Sequence, residues 1–182
     1  MPLKTFVKVG CVTNLGDARY CAGMGVDMLG FRVVEGQEHY IKPSQFQEIR
    51  GWITGPLVVA EVYGLKNPDE LKAIVENFKP DYLEMSMQEL SQFSTLPLPF
   101  LLATAENESL ANLPVQPAYL IGKKPFKTPF PLLIEVQLTK DVVPLLDNTS
   151  VKGIALKGGV ELKPGLKDYE VMNEILELLD LD

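Results

Sequence analysis

Six charged residues interrupt the apolar segments of this 182-residue chain, although buried strands seldom carry charge. Three are basic and three are acidic: Lys8, Arg32, Lys157, Glu61, Glu84 and Glu135. If they face one another, they could form a layer of ion pairs, because a buried charge is tolerated only beside a partner. They could instead form a polar site, with Glu84 as an acid or base and Lys157 as a cation for an anionic ligand.

Two cysteines, Cys11 and Cys21, and a single histidine, His39, are the other candidates for chemistry. The cysteines lie ten residues apart without a repeating framework, which is typical of reduced thiols in a cytoplasmic protein. A lone histidine and the lack of CxxC or HxxxH spacing argue against a metal site. We therefore expect no metal and no cofactor.

Composition excludes two classes of partner. The formal net charge of -7 argues against nucleic acid, whose binders normally present a basic face. No apolar stretch is long enough to cross a membrane. The first ten residues are typical of a strand and lack the apolar core of a signal peptide. We expect one cytoplasmic domain over residues 1–182.

The elements that would position these residues alternate along the chain. Short apolar runs predict strands over 6–12, 28–34, 57–63, 82–87, 100–104, 118–121, 132–138 and 153–156. Helices are predicted over 15–24, 43–52, 67–78, 141–146 and 169–179, with a weak one near 108–113. The helix from Asn67 has the clearest signals, since Asn67 is a good N-cap and Pro68 suits the first turn.

Eight such units favour an α/β fold of the (β/α)8 TIM-barrel type. The chain is shorter than the typical barrel of about 250 residues. Proline density over 122–131 excludes a regular helix after strand six, so we predict a reduced barrel without its sixth helix. A doubly wound open sheet is the alternative, although no GxGxxG loop follows the first strand.

Four segments carry a resemblance to one enzyme family: 7–18 (VKVGCVTNLGDA), 25–31 (GVDMLGF), 40–43 (YIKP) and 159–168 (GVELKPGLKD). In these segments the chain resembles the phosphoribosylanthranilate isomerases, which convert a phosphoribosyl amine into its ketose isomer in tryptophan biosynthesis. The resemblance implies a (β/α)8 barrel. It also implies a cysteine base at the end of strand one and an aspartate acid at the end of strand six, which move protons between a carbon and the ribose ring oxygen.

The chain departs from this family where the chemistry is carried out. The base position is Gly10 and the acid position is Gly122. Further replacements are His39 for an arginine, 84–87 (EMSM) for Gln-Leu-His-Gly, Glu135 at the phosphate-binding Gly-Gly, and Ala155 for an aspartate. The loss of both proton-transfer groups removes on the order of a hundredfold to ten-thousandfold in rate for each.

Cys11 follows the base position by one residue. Strand alternation predicts that its thiol faces out of the barrel toward the helices, whereas a shifted register would make it a base. In the family register, Lys8, Glu84 and Lys157 face inward. The turn of Lys157, Gly158 and Gly159 could be an anion-binding nest of backbone N–H groups or a simple glycine turn.

Two hypotheses for function follow. The first is a catalytically silent relative that acts as a binding or interaction protein. The second is an active or repurposed isomerase-type enzyme for a phosphorylated or other anionic metabolite, with Cys11 and Glu84 as candidate catalytic residues. Candidate ligand-binding residues for an anion at the mouth are Lys8, Arg32, His39, Ser86, Lys157, Gly158 and Gly159.

A third hypothesis is an assembly partner for another biosynthetic protein. It follows from the missing sixth helix, because strands without a covering helix leave an apolar flank. A homodimer that covers this flank is a further expectation.

Overall fold

The computed structural model describes residues 2–105, 109–158, 160–163 and 166–181. Its centre is a closed barrel of eight parallel strands, paired in chain order from β1 to β8. The strands are β1 (Phe6–Gly10), β2 (Met28–Arg32), β3 (Leu57–Glu61), β4 (Tyr82–Ser86), β5 (Phe100–Ala103), β6 (Tyr119–Gly122), β7 (Leu132–Glu135) and β8 (Gly153–Lys157). The predicted barrel class is confirmed, and the open sheet is excluded because β1 also pairs with β8.

The helices are α1 (Leu15–Gly23), α2 (Pro43–Trp52), α3 (Pro68–Phe78), α4 (Met87–Leu90), α5 (Val143–Leu146) and α6 (Glu170–Leu179), with a 3-10 turn at Thr139–Asp141. Asn67 Oδ1 accepts a hydrogen bond from the backbone N–H of Glu70 at 2.9 Å, so the predicted cap of α3 is present. No helix within the described ranges has the length and apolar character needed to span a membrane.

Between β5 and β7, the described residues contain no helix. Residues 123–131 contain no helix, as their prolines predict. The weak helix predicted near 108–113 is wrong for 109–113, which form a loop in which Asn112 has a φ of 61°. After β8, an antiparallel ribbon of β9 (Val160–Lys163) and β10 (Leu166–Asp168) occurs where no strand was predicted.

Strand alternation divides the barrel residues into two sets. One set packs outward beneath the helices, and the other fills the barrel interior. The interior apolar layer consists of Met28, Val59, Leu101, Ile121, Leu133 and Ala155. At the N-terminal end of the strands, Phe6 stacks on Tyr119 with ring centroids 5.3 Å apart. This end is therefore packed, and the polar interior positions lie toward the C-terminal end, where barrel active sites form.

Candidate functional site

A cavity of about 670 Å³ opens at the C-terminal mouth of the barrel. This volume lies in the range of small-molecule sites, roughly 300–1,000 Å³. All six charged strand residues that the sequence singled out line the cavity, and Lys123 joins them. Four basic and three acidic side chains therefore surround one space.

The floor of the cavity is a layer of buried ion pairs. Lys8 Nζ lies 2.6 Å from Glu61 Oε1, and it also pairs with Glu84 Oε2. Glu61 Oε2 accepts a hydrogen bond from Arg32 Nε at 3.0 Å. Lys8, Glu61 and Glu84 are 3%, 2% and 4% exposed. Each buried charge therefore has a partner of opposite sign, as predicted for a layer of ion pairs. An open cavity remains above this layer.

Tyr63 completes this layer and lines the cavity, although it was not among the residues predicted for the site. Its hydroxyl donates a hydrogen bond to Glu84 Oε1 at 2.8 Å, and the guanidinium of Arg32 lies 4.6 Å from its ring centroid. Burial and the Glu84 carboxylate raise the pKa of Tyr63, so the phenol remains a donor. Its spacing of two from Glu61 is the signal that could have placed it at the mouth.

The two buried carboxylates differ in their electrostatics. Burial alone raises the pKa of Glu61, but the ammonium of Lys8 and the guanidinium of Arg32 hold it below its ordinary value. For Glu84, burial raises the pKa, the Glu61 carboxylate raises it further, and Lys8 only partly opposes them. Burial lowers the pKa of Lys8, yet the two carboxylates together raise it above its ordinary value. Glu61 is thus a fixed anion, and Glu84 is the group able to take up a proton.

This difference predicts an effect of pH on stability. A carboxyl group with a raised pKa in the folded state stabilises most at low pH, and this contribution is lost as pH rises through the folded pKa. We therefore expect wild type to lose stability relative to Glu84→Gln as pH rises above about 4.3, the ordinary glutamate value. Urea unfolding of both proteins from about pH 4 to about pH 8 measures this difference.

Glu135→Gln is the control for this series, because its carboxylate lies at the more exposed rim of the same cavity. Its stability difference from wild type should not follow the Glu84 pattern. If wild type instead gained stability over Glu84→Gln with rising pH, the assignment of Glu84 as the proton-accepting carboxylate would be wrong.

The orientation predicted for Cys11 is wrong. Its Sγ lies 3.7 Å from Glu61 Oε2, and the residue lines the cavity instead of facing the helices. The reason is that β1 ends at Gly10 and Cys11 has a φ of 55°, so strand alternation no longer applies. Burial and the Glu61 carboxylate raise the pKa of this thiol. A neutral thiol is a weak base and a weak nucleophile.

Two further candidates, Ser86 and Lys157, are engaged in contacts within the protein. The Ser86 hydroxyl donates to the Glu89 carboxylate and accepts from the N–H of Gln88 at 3.2 Å, so it caps α4 at the cavity wall. Lys157 Nζ lies 3.2 Å from Glu135 Oε1 at the rim, where the Lys157 side chain is 65% exposed.

The proposed nest after β8 and the role of His39 need correction. The Gly158 N–H donates to Gly10 O at 2.6 Å, so it is not available to an anion, and Gly159 lies outside the described residues. A Cβ at Gly158 would lie 3.0 Å from Gly10 O, which explains the glycine by close packing. His39 does not line the mouth cavity, and its Nε2 lies 3.5 Å from Glu38 Oε1. The left-handed turn at His39, with a φ of 63°, leaves the imidazole outside the cavity lining.

Comparison with known proteins gives a consistent result. No family model matches the chain. The N-(5'-phosphoribosyl)anthranilate isomerase of Xylella fastidiosa (strain 9a5c) is 24% identical over 202 residues, covering 97% of this chain and 92% of that protein. The enzyme of the same name from Xanthomonas campestris pv. campestris (strain 8004) is 24% identical over 206 residues, covering 96% and 92%. The chain is therefore similar to the phosphoribosylanthranilate isomerases over almost its whole length.

Solved structures of phosphoribosylanthranilate isomerases have the same fold as this chain. TrpF from Jonesia denitrificans superposes with a TM-score of 0.74 at 17% identity, covering 95% of each chain. Phosphoribosyl anthranilate isomerase from Thermus thermophilus gives a TM-score of 0.72 at 20% identity, covering 94% of this chain and 96% of that one. The predicted resemblance is therefore confirmed over almost the whole chain.

The structure shows what surrounds the two glycines that stand where the resemblance to this isomerase family places a base and an acid. A Cβ built at Gly10 would lie 2.4 Å from Glu61 Oε1 and 2.8 Å from Lys8 Nζ. The Glu61 carboxylate thus fills the volume that a side chain at position 10 would need. A Cβ at Gly122 would lie 3.1 Å from Phe126 Cε1, so a side chain there would be directed at the loop that follows β6.

Proposed function

We propose that this barrel has lost the isomerisation of its family and is a binding protein for a small organic anion at its mouth. The loss of isomerisation is supported by the position of Glu61. Its carboxylate lies within 2.4 Å of the site where a Cβ of a base at position 10 would be, and it is held there by Lys8 and Arg32. General base catalysis requires a group within hydrogen-bond reach of the substrate proton, and Gly10 has no side chain to supply one.

The binding of a small organic anion is supported by the charges that remain above the ion-pair layer. Glu61 and Glu84 together balance the charges of Lys8 and Arg32 at the floor of the cavity. At the rim, Lys157 pairs with Glu135, and Lys123 has no acidic partner among the described residues. This excess cation favours an anionic ligand in a cavity of about 670 Å³.

The rim favours a singly charged carboxylate over a phosphate ester. Glu135 stands at the end of β7, where its carboxylate would repel a phosphate, and the Gly158 N–H is already bonded to Gly10 O. Both features remove parts of the phosphate site that the family resemblance implies. A ligand with one carboxylate needs only the rim cations.

The first test is loss of phosphoribosylanthranilate fluorescence with the purified protein, beside the Xylella fastidiosa relative as a positive control. We expect no turnover above buffer, because both proton-transfer positions are glycine and the base volume is filled. Turnover that disappears in Cys11→Ala would contradict this proposal and make Cys11 the working base.

Binding is tested by thermal unfolding of the protein with a set of small organic acids at neutral pH, with inorganic phosphate beside them. We expect carboxylates to raise the unfolding midpoint more than phosphate does, since ligands of the folded state stabilise it. Lys123→Ala should weaken this shift without lowering stability in buffer alone. If the midpoint shift is the same in Lys123→Ala as in wild type, Lys123 does not bind the carboxylate, and the proposed site at the rim is wrong.

A second candidate function is an active isomerase-type enzyme that uses Glu84 for proton transfer, and the position of Glu84 favours it. This buried carboxyl has a raised pKa, borders an open cavity and accepts a hydrogen bond from Tyr63. Such a group could move a proton of an anionic metabolite. Turnover of phosphoribosylanthranilate that Glu84→Gln abolishes and Cys11→Ala preserves would favour this candidate.

A homodimer that covers the loop between β6 and β7 stays a prediction, as does an assembly partner there.

A further inference from the structure

Donors from three residues converge on the carboxylate of Glu61. Lys8 Nζ lies 2.6 Å from Oε1, Arg32 Nε lies 3.0 Å from Oε2, and the backbone N–H of Cys11 lies 3.3 Å from each oxygen. The Cys11 thiol adds a weaker donor at 3.7 Å. Two cations and a backbone N–H directed at one carboxylate form the arrangement by which proteins bind carboxylate ligands.

The Glu61 carboxylate lies in space left by two glycines, Gly10 and Gly30. A Cβ at Gly30 would lie 2.2 Å from Glu61 Oε1, and one at Gly10 would lie 2.4 Å from the same atom. The two glycines lie on adjacent strands β1 and β2, and Glu61 enters from β3. The donors therefore belong to β1, to β2 and to the turn after β1, whereas the acceptor comes from a third strand.

We propose that Lys8, Arg32 and the Cys11 N–H form a carboxylate receptor that Glu61 occupies from within the chain. When position 61 has no carboxylate, a free small carboxylate of the formate or acetate class takes its place. This receptor lies at the cavity floor and is separate from the rim cations of the proposed function. After Glu61 is replaced, Glu84 still pairs with Lys8, so Arg32 is the cation that loses its carboxylate partner.

The test is thermal unfolding of Glu61→Ala in sodium formate and in sodium chloride at equal ionic strength. We expect formate to raise the unfolding midpoint of Glu61→Ala by about 3–6 °C over chloride, as for a ligand at roughly ten times its dissociation constant. Wild type should show a markedly smaller difference, because its receptor is filled. Glu135→Ala is the matched control, since it removes a rim carboxylate and leaves the receptor occupied.

The proposal is overturned if formate stabilises Glu61→Ala no more than it stabilises wild type or Glu135→Ala. It is also overturned if Arg32→Ala, added to Glu61→Ala, leaves the formate effect unchanged. These outcomes are independent of isomerase activity and of the Lys123→Ala result, so failure here leaves the proposed function standing.

A second measurement applies if Glu61→Ala does not fold in chloride. Formate should then restore its circular dichroism spectrum, and chloride should not. In wild type, hydrogen exchange at the Arg32 Nε–H should be slower than at the exposed Arg19. Equal exchange at these two groups would show that Glu61 does not hold Arg32, and the receptor would be refuted.

Discussion

Replacement of Lys8 with methionine is expected to lower the free energy of unfolding by about 3–5 kcal/mol, the usual cost of breaking a buried ion pair. The substitution leaves the carboxylates of Glu61 and Glu84 buried without the cation that lies between them. Arg32 still pairs with Glu61, but Glu84 keeps only the Tyr63 hydroxyl. The unfolding midpoint should fall by roughly 6–20 °C in a thermal scan, given about 2–4 °C per kcal/mol for a chain of this size.

Lys157→Met provides the matched control, because the same substitution there removes a rim cation from an exposed pair with Glu135. Exposed pairs contribute little, so its effect should stay under about 1 kcal/mol. The double variant Lys8→Met/Glu84→Gln should recover part of the loss, since a neutral amide replaces the unpaired carboxylate. Equal effects of Lys8→Met and Lys157→Met would show that the ion-pair layer does not stabilise the barrel.

A cysteine at position 10 is expected to destabilise the barrel unless Glu61 is also removed. The Cβ would lie 2.4 Å from Glu61 Oε1, and overpacking of a filled interior costs about 1–3 kcal/mol. In a Glu61→Gly background the same cysteine should fit. The two substitutions should therefore show a favourable coupling of about 1–3 kcal/mol in a double-mutant cycle measured by urea unfolding.

Gly51→Cys is the control for this cycle, because a Cβ at Gly51 on α2 meets no atom within 4 Å. It should be nearly neutral in both backgrounds. Additive effects of Gly10→Cys and Glu61→Gly would mean that Glu61 does not occupy the base volume. That result would also weaken the proposal that isomerisation is lost by exclusion at this position.

Of the two interpretations of the charged residues, the structure shows the ion-pair layer, and the polar ligand site stays a prediction. The floor of the mouth is an ion-pair layer, as the balance of charges on the strands predicted. The cavity above it is open, and Glu84 and Lys157 both line it. The cavity therefore lies above the ion-pair layer, and a ligand in it stays a prediction.

Local patterns predicted most of the fold correctly. The i, i+3, i+4 spacing and the Asn67 cap predicted α3, and the prolines near Pro125 predicted the missing sixth helix. Alternation along β1 placed Lys8 and Gly10 on one face, and both line the cavity. The orientation predicted for Cys11 was wrong because this residue has left-handed backbone angles, which end the alternation of side chains along β1. Hydrophobic periodicity in the sequence does not reveal such a turn.

By itself, the sequence determined the barrel class, the family resemblance and the glycines at the two positions where that resemblance places proton-transfer residues. These follow from periodicity and from motifs, which are properties of residues near one another in the chain. Only the tertiary structure decided that Glu61 fills the volume beside Gly10 and binds Lys8 and Arg32. The physical reason is that the closed barrel brings β1, β2 and β3 into register, so atoms more than fifty residues apart in the chain lie within 3 Å.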